Sequence, residues 1–160
     1  MGGEVGVTLR PYRANDLDAM HALDVECFDK PFRFSRSAMR RFAEAKKARV
    51  IIAEENDALV GFVILDIEDT EEARLGYIVT LDVSPEHRRR GLAGQLMQVA
   101  ERESIREGCA AIVLHVFTGN EPAMRFYVGR GFVQSHIEND FYGRGMDAWV
   151  FHKLLLSTDQ

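Results

Sequence analysis

Three consecutive arginines followed by small residues, Arg88-Arg89-Arg90-Gly91-Leu92-Ala93-Gly94, form the segment of this chain best suited to holding an anion. Leu81-Asp82-Val83-Ser84-Pro85 ahead of it reads as the end of a strand stopped by proline, and the residues after it read as a long helix. The first N–H groups of a helix have no acceptor inside the helix, and the helix dipole adds partial positive charge there. A diphosphate uses both features. Gly91, Ala93 and Gly94 let backbone approach such an anion, and Arg88, Arg89 and Arg90 add long-range attraction. A bare arginine cluster also reads as a solvated surface; the strand before it and the helix after it favour a phosphate site. No Gly-Lys-Ser/Thr follows, so this is not a P-loop, and the dinucleotide pattern G-x-G-x-x-G is missing.

Histidine supplies the second candidate chemistry. His21 falls in a helical segment, His136 and His152 in late strands, and His87 beside the arginines. His115 differs, because its segment AAIVLHVF is the most apolar strand of the chain. A buried imidazole needs a hydrogen-bonding partner. On residue type alone it reads as a core histidine.

These residues need elements to hold them. Residues 7–12 read as a short strand, and Asn15 or Asp16 can cap a helix running to about Phe28, with Leu17, Met20, Leu23 and Val25 near helical spacing. DKPFRFS breaks that helix, and Ser35 caps a second one through about Ala45. Residues 50–55 form a strand, Asn56-Asp57 a hairpin turn, and LVGFVILDIED its partner. A third strand spans residues 74–83. The long helix begins near Gly91, with Leu92, Leu96, Val99 and Ala100 on its apolar face, and Gly108 ends it. AAIVLHVF, apolar on both faces, belongs in the middle of a sheet. Asn120 opens a short helix ending near Gly131, and FVQSHI and DAWVFHKLL close the chain as strands. The order βαα, three-strand meander, αβαββ predicts an α/β fold, a mixed sheet with helices on both faces.

At 160 residues, 46% hydrophobic and 28% charged, the chain suits one globular domain over residues 1–160. The net charge of −5 argues against nucleic acid as a partner. No apolar run is long enough to span a bilayer, and MGGEVGVTLRPY lacks the features of a signal peptide, so no membrane partner is expected. Cys27 and Cys109 show no metal-type spacing; they read as reduced thiols of a cytoplasmic protein, with no metal expected.

Two segments together carry a resemblance. Arg88-x-x-Gly91-x-Ala93 looks like the R/Q-x-x-G-x-G/A signature of the GNAT acetyltransferase superfamily, and NEPAMRFYVGRGF (residues 120–132) resembles that family's N-x-x-A-x-x-F/L-Y-x-x-x-G-F segment, in the same order and at the expected distance. The resemblance covers nearly the whole chain. It implies the GNAT fold, a mixed central sheet of about seven strands flanked by about four helices, and acetyl-CoA as co-substrate. It also implies that residues 88–94 bind the CoA pyrophosphate, that Leu81, Asp82 and Val83 form the strand whose backbone pairs with the pantetheine arm, and that Asn120 and Tyr127 contact the cofactor.

A narrower resemblance concerns the acceptor. Leu114-His115-Val116 is similar to the LHV or LEV segment of protein N-terminal acetyltransferases. Bacterial ribosomal-protein alanine acetyltransferases have the glutamate version, several eukaryotic catalytic subunits the histidine one. Gly76-Tyr77-Ile78-Val79-Thr80-Leu81 resembles the Y-I-M-T-L strand of one eukaryotic branch, in which a tyrosine and a histidine on adjacent strands act on the amine through a water. The implied roles are Tyr77 and His115 as base relay and Tyr127 near the CoA sulfur as a donor to the thiolate. CFDKPFRF resembles the family's F-P loop, with Asp29 and Lys30 inserted between Phe28 and Pro31. Asn139-Asp140-Phe141-Tyr142 resembles its N/K-x-Y-Y stretch, with Phe141 lacking the first hydroxyl. Phe28, Pro31, Val79 and Tyr142 are then the expected acceptor-site residues, and the acceptor is a peptide or protein N-terminus.

Other readings stay open. A small amine or a lysine side chain is an alternative acceptor, because the superfamily fold does not fix it. A polycationic acceptor would call on Glu68, Asp69, Glu71 and Glu72, which otherwise read as a solvated hairpin tip. A module that binds acetyl-CoA without turnover would have no use for Tyr77, His115 and Tyr127, all of which are present. The oligomeric state is not legible.

Overall fold

The computed structural model describes residues 6–155, so the first five and last five residues of the expected 1–160 domain lie outside the described residues. The strands are β1 (Thr8–Pro11), β2 (Ala48–Glu55), β3 (Ala58–Asp69), β4 (Arg74–Val83), β5 (Ala111–Phe117), β6 (Val133–Glu138) and β7 (Ala148–Leu154). The helices are α1 (Leu17–Cys27), α2 (Arg36–Ala43), α3 (Leu92–Arg106) and α4 (Glu121–Gly129). Among the described residues the strands pair in the order β1-β2-β3-β4-β5-β7-β6. β4 and β5 run parallel, whereas β1–β2, β2–β3, β5–β7 and β6–β7 are antiparallel. This is the expected mixed sheet of seven strands with four helices.

The chain divides into two compact units, one of the residues up to Asp66 with Val79–Glu103, the other of Ile67–Ile78 with the residues from Ser104 onward. In the first unit, Leu17, Met20, Leu23, Met39 and Ala43 of α1 and α2 pack with Ile52, Phe62 and Ile64. Each large side chain buried there contributes about 2 kcal/mol. Phe62 faces that cluster, and its neighbour Gly61 faces the other way, toward α3. A Cβ on Gly61 would lie 3.1 Å from the Asp82 carbonyl and 3.3 Å from Leu92 Cδ2, so only glycine lets α3 pack this closely on β3. Asn56 and Asp57, at φ 53° and 65°, form the expected hairpin turn between β2 and β3.

Four local expectations need correction. Asp16 precedes α1 but makes no cap bond to it; its carboxylate takes Arg10 at 2.7 and 2.9 Å and the Arg13 N–H at 2.7 Å. The stronger charged partner wins over the helix N–H groups. Val25 is 38% exposed, because the buried stripe of α1 passes through Asp24 instead. The second helix ends at Ala43 rather than Ala45, and β2 begins at Ala48 rather than Val50. Ser35 does cap α2, accepting from the Ala38 N–H at 3.1 Å.

In the second unit, β5 lies between β4 and β7. Its parallel ladder with β4 covers Leu75–Tyr77 against Ala111–Val113, and its antiparallel ladder with β7 runs the whole strand, from Ala111–Leu154 to Phe117–Ala148. Pairing on both sides places the strand inside the sheet and satisfies its backbone there.

Candidate active site

The arginine turn follows a short 3-10 turn, Pro85–His87, at the end of β4. His87 is 7% exposed and holds the turn down by a 2.7 Å contact from Nε2 to Glu55 at the end of β2. Ser84 N–H bonds the Val60 carbonyl at 2.9 Å, anchoring the strand end from the other side. Beyond this, Arg89 and Gly91 adopt left-handed backbone, φ 67° and 80°. Such alternation of backbone hand turns consecutive N–H groups toward one point and makes an anion-binding concavity. Nothing lies within 4 Å of where a Gly91 Cβ would stand, and Arg88, Arg89 and Arg90 are all exposed. The turn therefore fits a bound diphosphate on its own geometry. Arg88 leans back, its Nε donating to the Val83 carbonyl at 3.2 Å.

The same carbonyl accepts from Cys27 Sγ at 3.3 Å. Next to it stands a feature that the sequence reading missed: two buried carboxyls, Asp24 on α1 and Asp82 on β4, 0% and 1% exposed. Asp24 accepts from the Phe34 N–H at 2.8 Å, and Asp82 accepts from the Thr80 hydroxyl at 2.6 Å. Burial, and then the neighbouring Asp24, hold the Asp82 carboxyl well above the usual range. Burial and the Asp82 charge likewise push the Cys27 thiol up to about 11. The spacing Met20, Leu23, Asp24 held the signal, a carboxylate on an apolar helical stripe. Of the expected acceptor residues in this unit, Phe28 caps the end of α1, its carbonyl taking Arg33 Nε at 2.6 Å. Pro31 is exposed in the 3-10 turn Lys30–Phe32, and Val79 packs against the α1–α2 core cluster.

The second unit brings Tyr77 and His115 together directly. Tyr77 Oη lies 2.7 Å from His115 Nδ1. Burial holds the Tyr77 hydroxyl well above its ordinary range, with Tyr142, Glu68 and Glu138 adding to the effect. The phenol is thus protonated at neutral pH. Phe141 lies flat on the imidazole, centroids 3.8 Å apart and planes within 4°. Tyr142 meets Phe141 edge-on at 4.9 Å and Phe117 at 6.4 Å, and burial pushes its hydroxyl up to about 12. Asp140 and Asp147 build the loop carrying both rings. Asp147 accepts from the Asp140 N–H at 2.8 Å, and Asp140 accepts from the Gly145 N–H at 2.7 Å. Glu138 Oε2 stands 3.1 Å from His115 Nε2, at hydrogen-bond length but out of line for a bond, so the nitrogen has no bonded partner.

Tyr127 is 8% exposed and joins a different aromatic cluster, with Phe132 at 5.5 Å and Phe151 at 6.4 Å. Asn120 caps α4, its Oδ1 accepting from the Ala123 N–H at 3.2 Å. Glu68, Asp69, Glu71 and Glu72 are exposed around the β3–β4 turn, and Asp69 pairs with Arg74 at 2.7 Å.

The family model described as the acetyltransferase (GNAT) family matches residues 17–132. N-alpha-acetyltransferase 30 of Schizosaccharomyces pombe is 30% identical over 91% of this chain and 96% of its own length. N-alpha-acetyltransferase 60 of Xenopus tropicalis is 28% identical over 86% of this chain, which spans 65% of that relative. Among solved structures, Arabidopsis thaliana Naa50 in complex with the bisubstrate analogue CoA-Ac-MVNAL superposes with a TM-score of 0.79 at 26% identity, covering 92% of this chain and 97% of the other. With the strand order, the anion turn and these similarities on one chain, the protein belongs to the acetyltransferase (GNAT) family and is an acetyl-CoA-dependent N-acetyltransferase.

Proposed function

We propose that the acceptor is the N-terminal α-amine of a peptide or protein and that Tyr77 and His115 act together as its base. The observation that carries this reading is the 2.7 Å contact between Tyr77 Oη and His115 Nδ1. Attack on a thioester needs a neutral amine and somewhere for its proton to go. An α-amine has an ordinary pKa of about 7.8 and a lysine amine about 10.4, so near neutrality roughly a tenth or more of the first is neutral but only about one in a thousand of the second. Histidine is the side chain that takes up a proton in this range, and a weak relay of this kind suits the α-amine. The amine nitrogen bonds the acetyl carbonyl carbon as its proton passes through a water to Tyr77 Oη and the phenol proton to Nδ1. The C–S bond then breaks and the CoA thiolate leaves, protonated by Tyr127 or by solvent.

Residues 88–94 serve the pyrophosphate in this account, Leu81–Val83 the pantetheine arm, and Asn120 its helix start together with the cofactor. Phe28, Pro31, Val79 and Tyr142 serve the acceptor. The relatives' names, N-alpha-acetyltransferases, and the peptide-bearing analogue bound to Naa50 support the peptide acceptor. The two free cysteines favour a reducing, cytoplasmic setting. No helix of the described residues is long and apolar enough to cross a membrane.

The test is acetylation of peptides containing lysines, with the N-terminus free or blocked, and polyamines as controls. Free peptides should be substrates and blocked ones inert. Equal rates on both would assign the enzyme to lysine side chains.

A further inference from the structure

His115 has a neighbour on its second nitrogen as well as its first, and the sheet explains how it gets there. In the β5–β7 ladder His115 faces Val150 and Phe117 faces Ala148. In the β6–β7 ladder His136 faces Val150 and Glu138 faces Ala148. Directly paired residues share a face of a sheet, so His115, His136 and Glu138 all stand on one side of it. β5 and β6 are two strand spacings apart, roughly 10 Å. A glutamate covers that span only over a small residue, and the one beneath it is Ala148, fully buried with a single methyl. The result is the 3.1 Å approach of Glu138 Oε2 to His115 Nε2. Glu138 is half-exposed, so its carboxylate has room to change rotamer over Nε2.

We propose that Glu138 is a positioning residue for the acetyl transfer, acting through His115, so that Tyr77, His115 and Glu138 form one chain from the buried phenol to solvent. The proposal rests on the reading of Tyr77 and His115 as the base. A carboxylate on Nε2 keeps the neutral imidazole in the Nε2–H tautomer and leaves Nδ1 with a lone pair for the Tyr77 hydroxyl. When Nδ1 receives the phenol proton, the imidazole becomes a cation with both nitrogens protonated, and the carboxylate stabilises that charge without taking the proton itself. Water that enters as the products leave takes the proton from Nδ1, Tyr77 keeps the proton it took from the amine, and the Nε2–H tautomer is restored.

Other groups face this chain. Tyr142 and Glu68 act on Tyr77, His136 Nε2 lies 3.9 Å from the other Glu138 oxygen, and Phe141 covers the imidazole. The test therefore reads His115 itself as well as the rate. In the wild-type protein, 15N-edited NMR of the His115 ring should show an Nε2–H tautomer with Nδ1 as hydrogen-bond acceptor. Glu138→Ala should shift the ring toward a mixture. Glu138→Gln should lower kcat about twofold to fivefold, as expected for a half-exposed ion pair, leave KM for acetyl-CoA unchanged, and move the acid limb of kcat to lower pH. In a His115→Ala background Glu138→Gln should cost nothing further. An unchanged tautomer in Glu138→Ala overturns the proposal whatever His115 does. A slowed His115→Ala enzyme beside a full-rate Glu138→Gln enzyme overturns this proposal alone. Full rate in both overturns the base reading and this one with it.

Discussion

Phe141 lies face to face with His115, its ring 3.8 Å above the imidazole. Phe141 is 42% exposed, so its outer face meets water while its inner face keeps water from the histidine. The covering needs the ring alone and no hydroxyl. Phe141→Ala should open the imidazole and free the loop. kcat should fall about threefold to tenfold, the scale of one lost aromatic stacking contact of roughly 0.5–1.5 kcal/mol. Phe141→Tyr should restore it. Steady-state rates of the two variants at saturating acetyl-CoA check this, and an Ala variant as fast as wild type would reduce Phe141 to a surface ring.

At the anion turn, Gly91 has φ 80° and open space around its missing Cβ. Any side chain there costs backbone strain of roughly 1–2 kcal/mol, which Gly91→Ala measures alone. Gly91→Glu adds a carboxylate where a phosphate would sit. Isothermal calorimetry should find acetyl-CoA bound about tenfold or more weakly by the Glu variant than by the Ala variant. Equal affinities would place the diphosphate elsewhere.

The Asp24–Asp82 pair gives a pH dependence of stability with a definite sign. Asp82 is held well above the usual carboxylate range by burial and by Asp24. A carboxyl that binds its proton more tightly folded than unfolded contributes stability that is full below its unfolded value, near 3.8, and is lost as pH rises toward its folded value. Asp16 has the opposite sign. Its bond to Arg10 lowers it, so its contribution is present above that value and lost in acid. Asp82→Asn stays neutral at every pH. Its melting temperature should equal or exceed wild type at pH 7–8, with the advantage shrinking toward pH 4. A constant difference across that range would mean that Asp82 does not titrate with folding.

Much of this arrangement was legible in the residues. Asn56-Asp57 specified its turn, Ser35 and Asn120 their caps, and the strand 74–83 fell where it was expected. Such features depend on local chemistry. Asp16 misled for the same reason: a good capping residue found a better partner in Arg10, which lies six positions away. Glu138 escaped notice because its partner is two strands away, and only the register across Ala148 brings them together. Asp82 was expected at the cofactor strand for its backbone, but its side chain turns inward to Asp24, a pairing between α1 and β4 that spacing along the chain does not encode.

Tyr77 and His115, as proposed, act as one base. Their direct 2.7 Å contact makes the two substitutions redundant in part. His115→Ala and Tyr77→Phe should each lower kcat on a free-N-terminus peptide by about 10²-fold or more, with melting temperature and acetyl-CoA affinity near wild type. The double variant should be little slower than the slower single one. The most direct measurement is kcat for this double-mutant cycle at saturating substrates. Two large, strongly overlapping losses are expected; a folded His115→Ala enzyme at near wild-type rate, or losses that simply multiply, would show that the two residues do not act as one base.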